Sequence, residues 1–128
     1  MRAADTNVLV RLILGEETAE TAAVTTTLSA GEPIYVSNIV MCELVWVLKS
    51  RYRQPRAAIA EAMGRLIDSD QVVMDRDAAL AGLGMLKAGA GFSDGVILYE
   101  ARRAGARDLM TFDRDLAKFG GPMATLLS

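Results

Sequence analysis

The chain contains no histidine and only one cysteine, and each shortage narrows its chemistry. Histidine is the commonest general base near neutral pH and a frequent zinc ligand, so its absence leaves carboxylates and oxygen-ligated cations as the obvious route to catalysis. The lone Cys42 cannot close an internal disulfide; in its apolar stretch it reads as a small buried hydrophobe and is assigned no chemistry. Long hydrophobic runs are also missing. The longest uncharged stretch, Thr21 to Gly31, has eleven residues and is rich in threonine, short of the ~20 apolar residues of a membrane helix. The opening Met-Arg-Ala-Ala-Asp carries no apolar signal region, so a cytoplasmic protein without membrane attachment is expected. Net charge is −2, and no global basic field announces a nucleic-acid partner.

What is present is an apolar chain of one-domain size. Its 128 residues are enough to bury a core without disulfides or a structural metal. Hydrophobic residues make up 52% and charged residues 23%, with a mean hydropathy of +0.24, so some apolar surface is expected to meet a partner. Cations do cluster locally. Lys49, Arg51, Arg53 and Arg56 lie between Leu44 and Ala60 with no acid among them, and Arg102, Arg103 and Arg107 follow later. Both clusters fit either a polyanion or helix C-termini complementing their dipoles.

Periodicity and punctuation give the order of elements. Arg2 to Asp5 reads as a short strand, Val8 to Leu14 as one or two helical turns, and Glu16 to Ser29 as a helix ended by Gly31 and Pro33. Ile34 to Val36 reads as a strand, and Ser37 or Asn38 caps a helix to about Arg51. Pro55 starts a helix to about Ile67, Gln71 to Met74 is a β-type run, and Asp75 caps a helix to about Lys87. After Gly89 to Gly91 come a helix over Phe92 to Ala104, a last core strand over Asp108 to Phe112, and a short helix capped by Asp113 and ending near Phe119. Strands alternating with helices predict an α/β domain over 1–128, with a short central parallel sheet flanked by helices on both faces. Ligands of such folds bind beyond the carboxyl ends of the strands.

Four acids stand at or inside apolar runs: Asp5, Glu43, Asp94 and Asp113. Three have plain structural readings. Asp113 is a good N-cap, Asp5 suits the cap of a turn starting near Asn7, and Asp94 falls in a helix's first turn, with Ser93 an alternative cap. Glu43 differs, because its helix reads Ile-Val-Met-Cys-Glu-Leu-Val-Trp-Val-Leu. Met41, Leu44, Val45 and Leu48 form the core stripe, leaving Glu43 beside Val40 and Val47 on a face that does not read as solvated. No lysine or arginine stands three or four residues away, so a metal or a partner is expected to supply the balancing charge. Were all four carboxylates to converge, each pair near ~4 Å would repel by about 4 kcal/mol at an effective dielectric of ~20. Protonation or a divalent cation relieves that; Mg2+ suits an all-oxygen site, and Mn2+ fits too.

With these residues in place, a family resemblance emerges. Asp5-Thr6-Asn7-Val8-Leu9-Val10, Glu43-Leu44-Val45-Trp46-Val47-Leu48, Phe92-Ser93-Asp94-Gly95-Val96-Ile97 and Leu109-Met110-Thr111-Phe112-Asp113-Arg114-Asp115-Leu116 resemble the motifs of the PIN domain, in order and over essentially the whole chain. More closely they resemble VapC-type toxins of type II toxin-antitoxin systems. The resemblance implies an acidic pocket that binds Mg2+ or Mn2+ and hydrolyses RNA phosphodiester bonds. Asp5, Glu43, Asp94 and Asp113 match the family's four acids, and Thr111 matches the hydroxyl residue two positions before the last. Thr6 and Asn7 are supporting polar groups. Asp115 reads as a first-turn helix residue, with assistance to a second metal as the other reading. A homodimer and a cognate antitoxin, able to place an arginine in the pocket, are the implied partners. Gly95 departs from the alanine of many relatives, and is expected to loosen its helical turn by about 1 kcal/mol.

The expected mechanism has one or two cations held chiefly by Asp5 and Asp94, with Glu43 and Asp113 acting directly or through water. Lys49, Arg51, Arg53 and Arg56 steer the RNA backbone. A receiver-type phospho-acceptor domain fits poorly, since Thr111-Phe112-Asp113 stands where a late lysine is required. An aspartyl phosphatase needs an acid at Asn7. A non-catalytic acidic interaction module is the remaining alternative, favoured by the apolar excess.

Overall fold

The computed structural model describes residues 1–127. Among these the chain forms seven α-helices, five short strands and one 3₁₀ turn. It divides into two compact units, Met1–Met74 and Asp75–Ser128.

The first unit carries β1 (Arg2–Ala3), α1 (Thr6–Leu14), α2 (Ala19–Ser29), β2 (Ile34–Tyr35), α3 (Asn38–Ser50), α4 (Arg56–Asp68) and β3 (Val72–Val73). Its sheet runs β1-β2-β3, and both pairings are parallel, with Arg2 opposite Ile34 and Ile34 opposite Val72. Capping residues set the helix starts. Asp5, Thr18 and Ser37 each accept a backbone N–H from three residues on, at α1, α2 and α3. Because Thr18 is the cap, α2 begins at Ala19 rather than Glu16. Gly15, at φ 62°, ends α1 in the left-handed conformation that costs glycine least. The α3 stripe is core as expected, with Met41, Leu44, Val45 and Leu48 all buried. Cys42, by contrast, is only half-buried.

The second unit carries α5 (Arg76–Ala88), α6 (Phe92–Arg103), β4 (Leu109–Thr111), α7 (Arg114–Phe119), the 3₁₀ turn Gly121–Met123 and β5 (Ala124–Leu126). Parallel pairing of β4 with β5 sets Leu109 opposite Ala124. Leu109–Thr111 is therefore neither the last strand nor a core one: Met110 is exposed and its neighbours are half-buried. Ala-Thr-Leu at 124–126 is too short to carry a period and is specified by its pairing partner. The α/β class and the parallel pairing agree with the sequence reading, while the strands divide between two sheets, one in each unit.

Helices α5 and α6 pack through glycine. A Cβ on Gly82 would lie 2.9 Å from the ring of Phe92, and one on Gly95 would overlap the carbonyl oxygen of Ala81. Gly95 is thus a close-packing residue, not a loosening departure from alanine. That contact fixes the first turn of α6, where Asp94 sits.

Candidate active site

Asp94 is the third residue of α6, whose N-cap is Gly91 and not Ser93. Its carboxylate accepts the Gly91 backbone N–H, the reach-back half of a capping box. A Cβ on Gly91 would stand 2.9 Å from Asp94 Oδ2, so the carboxylate folds against a bare backbone. Asp94 is half-buried, and burial pushes its pKa above the ordinary 3.8. The Gly91 hydrogen bond opposes that rise, while the charges of Asp113 and Asp115 add to it.

Asp113 caps α7. Its Oδ1 accepts the N–H of Asp115 at 2.9 Å and of Leu116 at 3.1 Å. Thr111, at the end of β4, accepts the Asp113 N–H on its hydroxyl at 2.9 Å. The strand-to-helix turn is therefore held from both sides, and both capping bonds use Oδ1, leaving Oδ2 for a ligand. Asp115 is an exposed first-turn residue whose charge acts on Asp94.

In the first unit Asp5 is exposed and caps α1, accepting the Val8 N–H at 3.4 Å. Thr6 and Asn7 are the first two residues of that helix, half-buried and exposed respectively. Glu43 corrects the sequence reading, because it is exposed on α3. Ile39 and Trp46, on the same face one turn either side, are 73% and 63% exposed. The outer face of α3 is apolar but solvated, so Glu43 needs no buried counter-charge.

The candidate cations Lys49, Arg51, Arg53 and Arg56 are all exposed. Lys49 in the last turn of α3 suits the helix dipole, and so do Arg102 and Arg103 at the end of α6. Arg56 opens α4, at the end where a dipole disfavours positive charge. Dipole complementation therefore does not explain the whole cluster.

Among the described residues, no three Asp, Glu or Cys side chains gather into a metal-holding group. The donors present nevertheless fit a hard divalent cation. Mg2+ is commonly held by one or two carboxylates, with water and substrate phosphate completing the shell. Asp94 and Asp113 are carboxylates that act on one another, and a cation would offset the burial and repulsion that raise the Asp94 pKa.

The family model described as PIN domain matches residues 3–122, a span that includes all four acids and runs through both units. The chain belongs to the PIN-domain family. No curated protein and no solved structure matches it. PIN domains are generally metal-dependent nucleases that typically use divalent ions such as Mg2+ or Mn2+, so the match points to nuclease activity in general. In this PIN domain no helix of the described residues is long and apolar enough to cross a membrane. The positioning residue that motif reading passed over is Gly91. In the sequence it reads as part of the Gly89 to Gly91 break, although the Gly91-x-x-Asp94 interval is the spacing of a capping box.

Proposed function

We propose that this PIN-domain protein is an endoribonuclease acting as the toxin of a toxin-antitoxin pair, using Asp5, Glu43, Asp94 and Asp113 with Mg2+ or Mn2+. The observation that carries this reading is the state of Asp94. Its half-buried carboxyl is desolvated, tethered to Gly91 and within the electrostatic reach of Asp113 and Asp115, an arrangement that favours a neighbouring cation over a bare anion.

A bound divalent cation supplies Lewis acidity, lowering the pKa of water and offsetting charge on the phosphate, so no histidine is required. The protein's own groups orient and hold. Gly91 fixes the direction of the Asp94 carboxylate, and the α7 amides fix Asp113 through Oδ1. Thr111 sets the turn that delivers Asp113, and Asp115 contributes negative charge. Lys49, Arg51, Arg53 and Arg56 bind RNA phosphates, giving affinity with little base reading.

The partners in this reading are a second copy of the chain and a cognate antitoxin in the cytoplasm. Exposed Ile39, Trp46, Met110 and Phe112 support apolar contacts of both kinds. The same exposure favours a non-catalytic interaction module as the second reading. Total cellular RNA treated with the purified protein, with and without Mg2+, separates them. New 5′ ends that require Mg2+ and vanish with Asp94→Asn are expected; undiminished cleavage by that variant, or none by the wild type, overturns the ribonuclease assignment.

A further inference from the structure

We propose that the cleft between α6 and the end of α7 is a nucleotide subsite, in which an RNA base lies against Tyr99 and Phe119 with a phosphate on Arg102. The cleft is about 200 Å³ and is walled by Met85, Leu98, Tyr99, Arg102, Phe119 and Gly120, among others. That is below the roughly 300 Å³ at which drug-sized pockets begin. It suits one flat ring rather than a folded segment.

The chemistry of the walls is aromatic and cationic together. Lys118 Nζ stands 5.5 Å from the centre of the Phe119 ring, and Arg103 donates to the Tyr99 hydroxyl at 3.0 Å. Arg103 also feels the charges of Asp75 and Asp77, which leaves Arg102 as the guanidinium lining the cleft. Rings accompanied by guanidinium and ammonium groups fit an anionic aromatic ligand, the combination by which single-stranded nucleic acid is held.

Position ties the cleft to the acids. Gly95, Leu98, Tyr99 and Arg102 recur at i, i+3, i+4 and i+7, one stripe of α6 that begins beside Asp94. From Asp94 to Arg102 the helix rises about 12 Å, and α7 rises about 9 Å from its Asp113 cap to Phe119. The chain after α7 meets α6 at the cleft, where a Cβ on Gly120 would lie 3.2 Å from Leu98 Cδ1, and the charges of Asp113 and Asp115 at the start of α7 reach Asp94. The α6 and α7 walls thus start at carboxylates and finish at the cleft, with Ala81 and Met85 of α5 forming its third side, so a base held there belongs to a nucleotide one or two steps from the phosphate near the acids.

The inference rests on the ribonuclease reading for its strand, but its test does not need cleavage. Titrating the full chain with AMP or UMP in EDTA should move the amide resonances of Leu98, Tyr99, Arg102 and Phe119. In cleavage assays Arg102→Gln and Phe119→Leu should each raise KM for RNA about tenfold with kcat nearly unchanged, while Arg107→Gln, off the cleft, leaves KM alone. Nucleotide shifts that map elsewhere or are absent overturn the subsite. So does an unchanged KM in Arg102→Gln, or an equal rise in Arg107→Gln. If the wild type cleaves no RNA, the ribonuclease reading falls and the AMP titration still decides the subsite.

Discussion

Gly95 of α6 and Ala81 of α5 meet backbone to backbone. A Cβ on Gly95 would overlap the Ala81 carbonyl oxygen and lie 2.7 Å from its carbonyl carbon and 2.8 Å from Gly82 Cα. Helix propensity alone makes Gly95→Ala stabilising by about 1 kcal/mol. The neighbours are main-chain atoms that cannot rotate away, so overpacking wins, and a net loss of about 1–3 kcal/mol is expected. Urea unfolding decides the sign: a midpoint at or above that of the wild type would show that the helices separate at little cost.

Asp94 gives a pH-dependent prediction. Its folded pKa lies above the ordinary 3.8, so the native state holds this proton more tightly than the unfolded chain. The group's contribution to stability is fully present below the unfolded pKa and is lost as pH rises through the folded one. Asp94→Asn, neutral throughout and still able to accept the Gly91 N–H, should therefore melt higher than the wild type at pH 7 without metal. That advantage should disappear at pH below about 3.8, where both side chains are neutral. Mg2+ should then raise the wild-type melting temperature more than the variant's. An equal response of both proteins to Mg2+ would detach Asp94 from the metal.

These two residues mark how far the sequence could be read. The core face of α3 was legible because Met41, Leu44, Val45 and Leu48 repeat at helical spacing, and that spacing is a property of the local chain. The caps Asp5, Ser37, Asp75 and Asp113 were legible for the same reason. Gly95 was misread because a propensity describes one helix, whereas its neighbour is the backbone of another. Glu43 reads as unsolvated from its apolar neighbours Val40 and Val47, but these are only half-buried and Ile39 and Trp46 on its other flank are exposed. The Asp94 capping bond sat in the sequence as Gly91-x-x-Asp94, hidden by reading three residues as a spacer.

Thr111 tests how Asp113 is delivered. Its hydroxyl accepts the Asp113 N–H at 2.9 Å, in a half-buried position at the end of β4. Thr111→Val keeps the shape and removes the acceptor, costing about 1 kcal/mol of stability. With Asp113 less firmly set, kcat for RNA should fall about tenfold or more. Thr111→Ser, which restores the acceptor, should recover most of the activity. A Val variant with full kcat would confine Thr111 to folding.

Glu43 separates a structural acid from a functional one more cleanly than the other three. Asp5 and Asp113 cap helices, and Asp94 accepts the Gly91 N–H, so their replacement disturbs backbone as well as chemistry. Glu43 is exposed in mid-helix and caps no helix end. Glu43→Gln should shift stability by less than about 0.5 kcal/mol, as for an ordinary surface substitution. Its loss of charge should nonetheless cut Mg2+-dependent RNA cleavage by about a hundredfold or more if it serves the cation with the other acids. Chemical denaturation and initial cleavage rates on one RNA supply both readings, and Mg2+ titration of the residual rate shows whether metal affinity fell. Cleavage within about twofold of the wild type would remove Glu43 from the catalytic set.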